Sequence, residues 1–301
     1  MIEFFQQFTN GLAVGGIYAL IALGYTMVYG VLKLINFAHG DLFTFGSYLG
    51  MTFLISFALS GALPPVLAVV IMFLMVMGCV ALSGYLLEKA AYLPLRHTPR
   101  LTAVVSALGA SIFLQNAIML FYGPNYEVYP DSLRISSSVN LLGLDVPVMR
   151  IIMLSISILL MLALYFFTQK TKLGTAIRAV ATDQAAARLM GIDVNRIISL
   201  VFMIGPALGG AAGVLLGLYY GQIRYDMGTM YGLKAFIAAI IGGIGNIPGA
   251  MLGGMLLGVL EAMGAAYISP AWKDALAFLI LIIILIFRPT GILGERTAEK
   301  I

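Results

Sequence analysis

Runs of about 20 apolar residues recur along the whole chain, and they limit its possible folds more than any other feature. A helix of that length crosses the hydrocarbon core of a bilayer. Charged residues make up only 10% of the chain, too few to cover the surface of a soluble domain. We therefore predict an all-α polytopic membrane protein, a single transmembrane domain over 1–301, with about eight spans. The predicted spans are 11–32, 35–57, 64–88, 101–122, 149–167, 197–221, 232–264 and 272–288.

The loops between these runs differ in charge. Basic residues concentrate in 89–100, 168–196 and 288–301, whereas 1–10 and 58–63 contain no Lys or Arg. The positive-inside rule assigns the basic loops to the cytoplasm. The segment 123–148 has three acids and one Arg, which indicates an external loop. The net charge of +4 suits the anionic headgroups of the lipid bilayer, and we expect no binding of nucleic acid.

The predicted span 232–264 does not fit a single crossing. The spans 197–221 and 272–288 both have ends that the positive-inside rule assigns to the cytoplasm. The segment between them therefore has to enter the membrane and return. Its middle, IIGGIGNIPGAMLGG, holds helix-breaking residues over 242–249, among them Gly245, Asn246 and Pro248. We predict two half-helices that meet at Asn246 and Pro248.

A second interruption is predicted at 33–41, KLINFAHGD, between the first two apolar runs. The alternative is a tight turn at the cytoplasmic surface. Paired interruptions in two halves of a chain are typical of an inverted repeat around a central translocation pathway. The two halves of this sequence therefore suggest such a repeat.

Several polar side chains are predicted at membrane depth, where they are costly unless they are paired or face water. Asn36, His39 and Asp41 cluster in the first interruption, and Gln115 and Asn116 lie side by side in a span. All five are candidates for the pathway or its gate. The alternatives are a capped turn that begins a helix at Asp41, and hydrogen bonds between helices for Gln115 and Asn116.

Glycines recur at every fourth position of the span 197–221, so they line one face of the helix. They are Gly205, Gly209, Gly213, Gly217 and Gly221. Such a face allows another helix to approach closely. Packing within the chain, a subunit interface and a sliding contact are all compatible with it.

The sequence excludes several kinds of enzyme. It has two His and one Cys, with no metal-ligand spacing and no nucleophile beside a base. The glycine-rich GGIGNIPG lacks the Lys and the Ser or Thr of a phosphate-binding loop. We expect a transport subunit that is not an enzyme, has no catalytic or metal site, and does not hydrolyse ATP itself.

The polar segment 168–196 carries five of the 17 basic residues and contains a short predicted helix. Thr182 or Asp183 can cap its start, Gly191 suits the position after its end, and Arg188 suits its last turn. This Ala-rich helix could fill a shallow groove on another protein. The alternative is an ordinary basic loop.

The chain resembles the LivH-type permeases of branched-chain amino acid importers driven by ATP. The resemblance covers nearly the whole length and rests on five segments in the right order. These are GIYALIALGYTMVYGVLKLINFAHGDLFTFGSYLG, LTAVVSALGASIFLQN, GTAIRAVATDQAAARLMGID, AFIAAIIGGIGNIPGAMLGG and the terminal RPTGILG.

Importers of this kind carry a cytoplasmic signature that reads E-A-A, three residues, G, nine residues, then I. Here Ala186, Ala187 and Gly191 match it, whereas Ala185 replaces the Glu and Val201 replaces the Ile. The final Leu-Pro of the signature is also missing. The resemblance implies that the helix from Asp183 to Gly191 is the coupling helix that docks on an ATPase subunit.

The resemblance further implies a multi-pass permease of the bacterial inner membrane that transports Leu, Ile and Val. Its implied partners are a second, LivM-like permease, two cytoplasmic ATPase subunits and an external substrate-binding protein. ATP and Mg would be bound by the partners, and no cofactor by this chain. Related permeases carry urea, short amides or other amino acids, so these substrates stay open, as does an ion-coupled secondary transporter.

Overall fold

A computed structural model describes residues 2–60, 64–96, 98–130, 137–141 and 144–294. Its helices are α1 (Ile2–Leu32), α2 (His39–Ser60), α3 (Pro65–Leu87), α4 (Arg100–Tyr122), α5 (Val148–Lys170), α6 (Lys172–Thr182), α7 (Gln184–Leu189), α8 (Val194–Tyr220), α9 (Met227–Gly242), α10 (Ile247–Tyr267) and α11 (Lys273–Phe287). Within these residues, seven helical segments are long and apolar enough to cross a bilayer, and α9 is a shorter apolar helix. The predicted helical, polytopic class is confirmed.

The described residues form four short strands at one end of the bundle, in the predicted external loop and after α8. They are β1 (Glu127–Val128), β2 (Ser138–Leu141), β3 (Leu144–Pro147) and β4 (Gln222–Ile223). β1 pairs with β4, and β2 pairs with β3, both antiparallel. We call this the strand end. Residues 131–136 and 142–143 of the predicted loop lie outside the described residues.

The opposite end, which we call the α7 end, collects the basic segments. Arg96, after α3, donates a hydrogen bond to Asn195 at the start of α8. The segment after α11 also reaches this end, because the amide of Leu293 donates to the carbonyl of Gly242. The described parts of all three basic segments therefore share one end, as the predicted topology requires. Residues 295–301 lie outside the described part.

The helices α1 and α8 form the centre of the bundle and are almost completely buried. α1 packs on α10 through small residues: a Cβ placed on Gly15 would lie 2.9 Å from the Cα of Met255, and one on Gly254 would meet Ala19. Close backbone approach of this kind takes the place of a hydrophobic driving force between helices in lipid. Added side chains here would separate α1 from α10.

The glycine stripe of α8 faces inward. A Cβ on Gly205 would lie 3.3 Å from Gly24 of α1, and one on Gly213 would meet Phe43 of α2. Gly209 faces the ring of His39, and Gly217 faces Tyr129. These four glycines pack within the chain. Gly221 differs, because it ends α8 in a left-handed conformation with φ 71°.

The prediction of two half-helices within 232–264 is only partly correct. α9 has 16 residues, but α10 has 21 and is long enough for a full span. The two form an antiparallel hairpin, since a Cβ on Gly253 would lie 2.8 Å from the amide nitrogen of Gly242. Pro248 lies in the first turn of α10, where the missing N–H has no intrahelical partner to lose.

Two further boundaries differ from the prediction. α1 begins at Ile2 rather than at residue 11, and its first turns lie at the strand end, where Arg150 donates to the carbonyl of Gln6 and Tyr219 donates to Asn10. The predicted loop before the coupling helix is itself the helix α6. Its apolar side buries Ile177 and Val180 while its other side stays exposed.

Candidate functional site

The short helix α7 has its backbone groups satisfied at both ends. The carboxylate of Asp183 accepts hydrogen bonds from the amides of Ala185 at 2.8 Å and Ala186 at 3.0 Å. At the other end, Gly191 has φ 80°. Its amide donates to the carbonyl of Arg188, and the next amide, of Ile192, donates to Ala187. This pair of bonds is the Schellman motif, which needs a residue that tolerates positive φ.

Two apolar side chains project from the tip of α7. Leu189 is 89% exposed and Met190 is 82% exposed, whereas Ala187 is buried against the bundle. Arg188, also exposed, lies beside them. The exposed surface of α7 therefore consists of two apolar side chains beside one cation.

α7 is attached to two membrane helices. The side-chain amide of Gln184 donates to the carbonyl of Val31 in α1 at 2.8 Å. After the helix, Asp193 caps α8 by accepting from the amide of Arg196 at 3.1 Å. A cavity of about 940 Å³ opens beside α7, and its lining includes Leu32, Arg96 and Arg188.

A buried charge cluster, not foreseen from the sequence, lies behind this cavity. α3 continues as a π turn, Glu88–Tyr92, and Glu88 is fully buried. Arg96 forms an ion pair with Glu88, and Ser199 of α8 donates to the same carboxylate at 2.9 Å. Burial lowers the pKa of the Arg96 guanidinium from its ordinary value, an effect that neighbouring Glu88 opposes.

The interruption between α1 and α2 is confirmed, and its polar residues are buried. Lys33 turns the chain with φ 55°. Asn36 accepts a hydrogen bond from the Tyr92 hydroxyl at 2.9 Å, and the ring of His39 contacts the carbonyl oxygen of Ile21 at 3.2 Å. The chain turns at the exposed Lys33, and the segment after the turn runs back into the bundle, where Asn36 and His39 are each only 1% exposed.

α2 begins near the middle of the bundle. The His39 ring packs against Gly24, which lies eight residues, or roughly 12 Å, before the end of α1 at Leu32. Towards the strand end, Gly40 precedes Gly50 by ten residues, or roughly 15 Å, and Gly50 contacts Tyr129 beside β1. The first turn of α2 therefore lies about halfway between the two ends.

Asp41 lies in this first turn and contacts α4. Its carboxylate accepts a hydrogen bond from Ser111 at 2.5 Å. One helical turn further along α4, Gln115 lies 3.5 Å from the hydroxyl of Thr229 in the first turn of α9. Asn116 is exposed and donates to the carbonyl of Ile112 in its own helix. The structure thus brings Asp41 and Gln115 together, with Ser111 and Thr229 as residues that the sequence did not indicate.

The interruption between α9 and α10 lies elsewhere, at the α7 end. Gly243 and Gly245 have positive φ, and a Cβ on Gly30 near the end of α1 would lie 4.0 Å from Gly245. Asn246 caps α10 by accepting from the amide of Gly249 at 2.9 Å, and it donates to the carbonyl of Leu293. The predicted gate residues therefore form two groups at different depths.

Four charges connect α9, α10 and α11. The ammonium of Lys234 lies 2.7 Å from Glu261 and 2.5 Å from Asp274, and Lys273 lies 3.0 Å from Glu261. Lys234 and Glu261 are almost fully buried. Sequence spacing gave no sign of this network, since its members are distant along the chain. Within the described ranges, no group of three His, Cys, Asp or Glu side chains could hold a metal ion.

Comparison with known proteins places the chain in a family. The profile of the branched-chain amino acid transport system permease component matches residues 7–285. The permease protein BraD of the high-affinity branched-chain amino acid transport system of Pseudomonas aeruginosa is 45% identical over 99% of this chain and 98% of its own length. The LivH permease proteins of Salmonella typhimurium and Escherichia coli K12 are 43% and 42% identical, over 100% of this chain and 98% of theirs.

These full-length matches confirm the resemblance stated above and the expected role in transport. They also confirm a multi-pass protein of the inner membrane, in agreement with the seven apolar helical segments. The chain belongs to the family of branched-chain amino acid transport permeases.

Proposed function

We propose that this chain is the permease subunit of an ATP-driven importer of Leu, Ile and Val. The observation that carries the proposal is α7: a rigid helix, capped at both ends, with an exposed apolar tip on the basic end of a bundle that resembles these permeases from end to end. The names of the relatives supply the substrate class. Urea, short amides and other amino acids are the alternatives to be tested.

The proposed partner of α7 is a cytoplasmic ATPase subunit. By the positive-inside rule, the α7 end faces the cytoplasm. Leu189 and Met190 would enter an apolar groove, and Arg188 would meet an acidic residue at its edge. Ala185 stands where the importer signature has Glu, so this contact does not use a carboxylate at that position. ATP and Mg would be bound by two such ATPase subunits.

The proposed pathway runs along the face formed by α4 and the start of α9. Gln115, Asn116 and Thr229 present polar groups there at mid-depth, and two of them are exposed. Exposed polar groups at this depth are costly in lipid, so water or a second permease subunit is expected to cover them. A LivM-like permease would complete the pathway, and an external binding protein would deliver the substrate to the strand end.

Transport then follows from alternating access. Closure of the ATPase subunits on ATP would move α7, and Gln184 and Asp193 would pass this movement to α1 and α8. The pathway face would open to one side at a time. The substrate itself undergoes no chemical change.

The test is uptake into vesicles that contain the complete importer. We expect uptake of Leu, Ile and Val that requires ATP and persists when ion gradients are collapsed. Gly191→Trp should abolish uptake while leaving membrane insertion intact, because its side chain would stand between α7 and the ATPase groove. Uptake that survives ATP depletion, or normal uptake by Gly191→Trp, would contradict the proposal.

A further inference from the structure

The three carboxylates buried among the described residues differ in one respect. Glu88 is paired with Arg96, and Glu261 is paired with Lys234 and Lys273. Asp41 is 2% exposed and forms no ion pair with any described residue. One of its oxygens accepts from Ser111, and the other, Oδ1, has no hydrogen-bond partner among the described residues.

A carboxyl group in that setting is neutralised either by a proton or by a cation from outside the chain. Removing a charge from water is costly, and a hydrogen bond from one hydroxyl compensates only part of the cost. The bundle has already neutralised its other two buried carboxylates. Among the described residues, Asp41 is therefore the buried carboxylate left without a cation.

The position of Asp41 identifies where such a cation would come from. Ser111 and Gln115 are four residues apart on α4, so they share one face of the helix. Gln115 reaches Thr229, and the neighbouring Gly228 packs against Gly40, next to Asp41. Asp41 thus lies next to the polar face that Gln115 and Thr229 form on α4 and α9, and the side chain of Ser111 lies between its carboxylate and that face.

A free amino acid with an apolar side chain brings one cation, its α-ammonium group. We propose that Asp41 binds this ammonium group as the substrate passes, and that the Ser111 hydroxyl occupies the carboxylate when the pathway is empty. The proposal rests on the function proposed above. It assigns the substrate-contacting carboxylate of the pathway to the first turn of α2.

A purely structural role for Asp41 makes a different prediction. If the carboxylate served only to hold α4 against α2, Asp41→Asn would keep an acceptor for the Ser111 hydroxyl and would harm uptake no more than Ser111→Ala. If it binds the ammonium group, loss of its charge is far more harmful than loss of the Ser111 hydroxyl. Asp41→Asn, Asp41→Glu and Ser111→Ala separate the two.

The experiment measures uptake and ATP hydrolysis by the complete importer in vesicles. For Asp41→Asn we expect uptake to fall by about tenfold or more, which corresponds to the loss of one charge-assisted bond. Hydrolysis stimulated by loaded binding protein should persist, so more ATP is consumed per substrate transported. Asp41→Glu should recover part of the uptake, and Ser111→Ala should keep most of it. Ser83→Ala is the control, since Ser83 bonds only to the carbonyl of Cys79 in its own helix.

A loss in Asp41→Asn no greater than that in Ser111→Ala, or normal uptake by Asp41→Asn, would overturn the assignment. A second measurement covers the case in which Asp41→Asn does not insert. In a Cys79→Ala background, Ser111→Cys should react with a charged thiol reagent faster during ATP turnover than without ATP, whereas the control Phe113→Cys, on the outer surface of the same helix, should show no such change. A rate for Ser111→Cys that ATP turnover does not raise would also overturn the assignment. A wild-type importer without ATP-dependent uptake would instead refute the proposed function.

Discussion

The side-chain amide of Gln184 donates to the backbone carbonyl of Val31, so the first residue of α7 is bonded to the last turn of α1. One residue later α1 ends, and the interruption that leads to α2 begins. α7 is therefore bonded next to the chain segment that positions Asn36, His39 and Asp41.

Replacing Gln184 by Leu should uncouple ATP hydrolysis from transport. The change keeps the size of the side chain and removes one hydrogen bond, worth about 1 kcal/mol. We expect the importer to assemble and hydrolyse ATP, with fewer substrates transported per ATP. Gln169→Leu is the control, because Gln169 bonds only an exposed Arg178 at the same end. An unchanged ratio of substrate transported to ATP hydrolysed in Gln184→Leu would show that this hydrogen bond does not couple the two processes.

The conformation of Gly191 should control association with the ATPase. A Cβ at this position meets open space, so the cost of Gly191→Ala comes from its positive φ and is about 1 kcal/mol. We expect weaker copurification of the ATPase with Gly191→Ala, and a smaller loss with Gly191→Asn. Gly123→Ala imposes at least as much backbone strain at the strand end, where φ is 92° and ψ is 170° and space is also open. Its ATPase association should be normal, and a loss there equal to that of Gly191→Ala would contradict the prediction.

The contact between α1 and α10 should tolerate no side chain at Gly254. Valine there would collide with the backbone of Ala19, and overpacking of a tight core costs about 1–3 kcal/mol or more. We expect a lower midpoint of thermal unfolding in detergent for Gly254→Val. Gly78→Val is the matched control, since a Cβ at Gly78 has no neighbour within 4 Å. Similar midpoints for the two variants would argue against close helix packing at Gly254.

The stability of the protein should depend on the net charge of the network that includes Lys234. Lys234→Met leaves two acids with one cation, and breaking a buried pair costs about 3–5 kcal/mol. We expect a marked loss of stability against denaturant in detergent. Adding Asp274→Asn restores neutrality and leaves the pair between Lys273 and Glu261. The double variant should be more stable than Lys234→Met, and the opposite order would contradict the role of the network.

Features that depend on neighbouring residues were predictable from the sequence. The spans follow from apolar runs, and the ends of α7 follow from Asp183 and Gly191, because caps are local interactions. The interruption before α2 and the turn before α10 likewise carry their own breaking residues.

Features that depend on tertiary contact were not predictable in this way. Ser111 meets Asp41 across 70 residues, and Lys234 meets Glu261 across 27, with nothing in either segment to indicate the partner. α6 was missed for another reason: its apolar side is short and lies within a basic segment, so the charge pattern concealed the helical period.

The caps of α7 keep this short helix folded without a partner. A free peptide of six residues would not hold a helix in water, since nucleation is costly. Here Asp183, Gly191 and the attachment at Gln184 fix the helix before any ATPase arrives. Association with the proposed ATPase subunit would therefore order little on the permease side, and the conformational entropy lost on binding would be small. One such subunit could leave and another take its place without any refolding of the membrane chain.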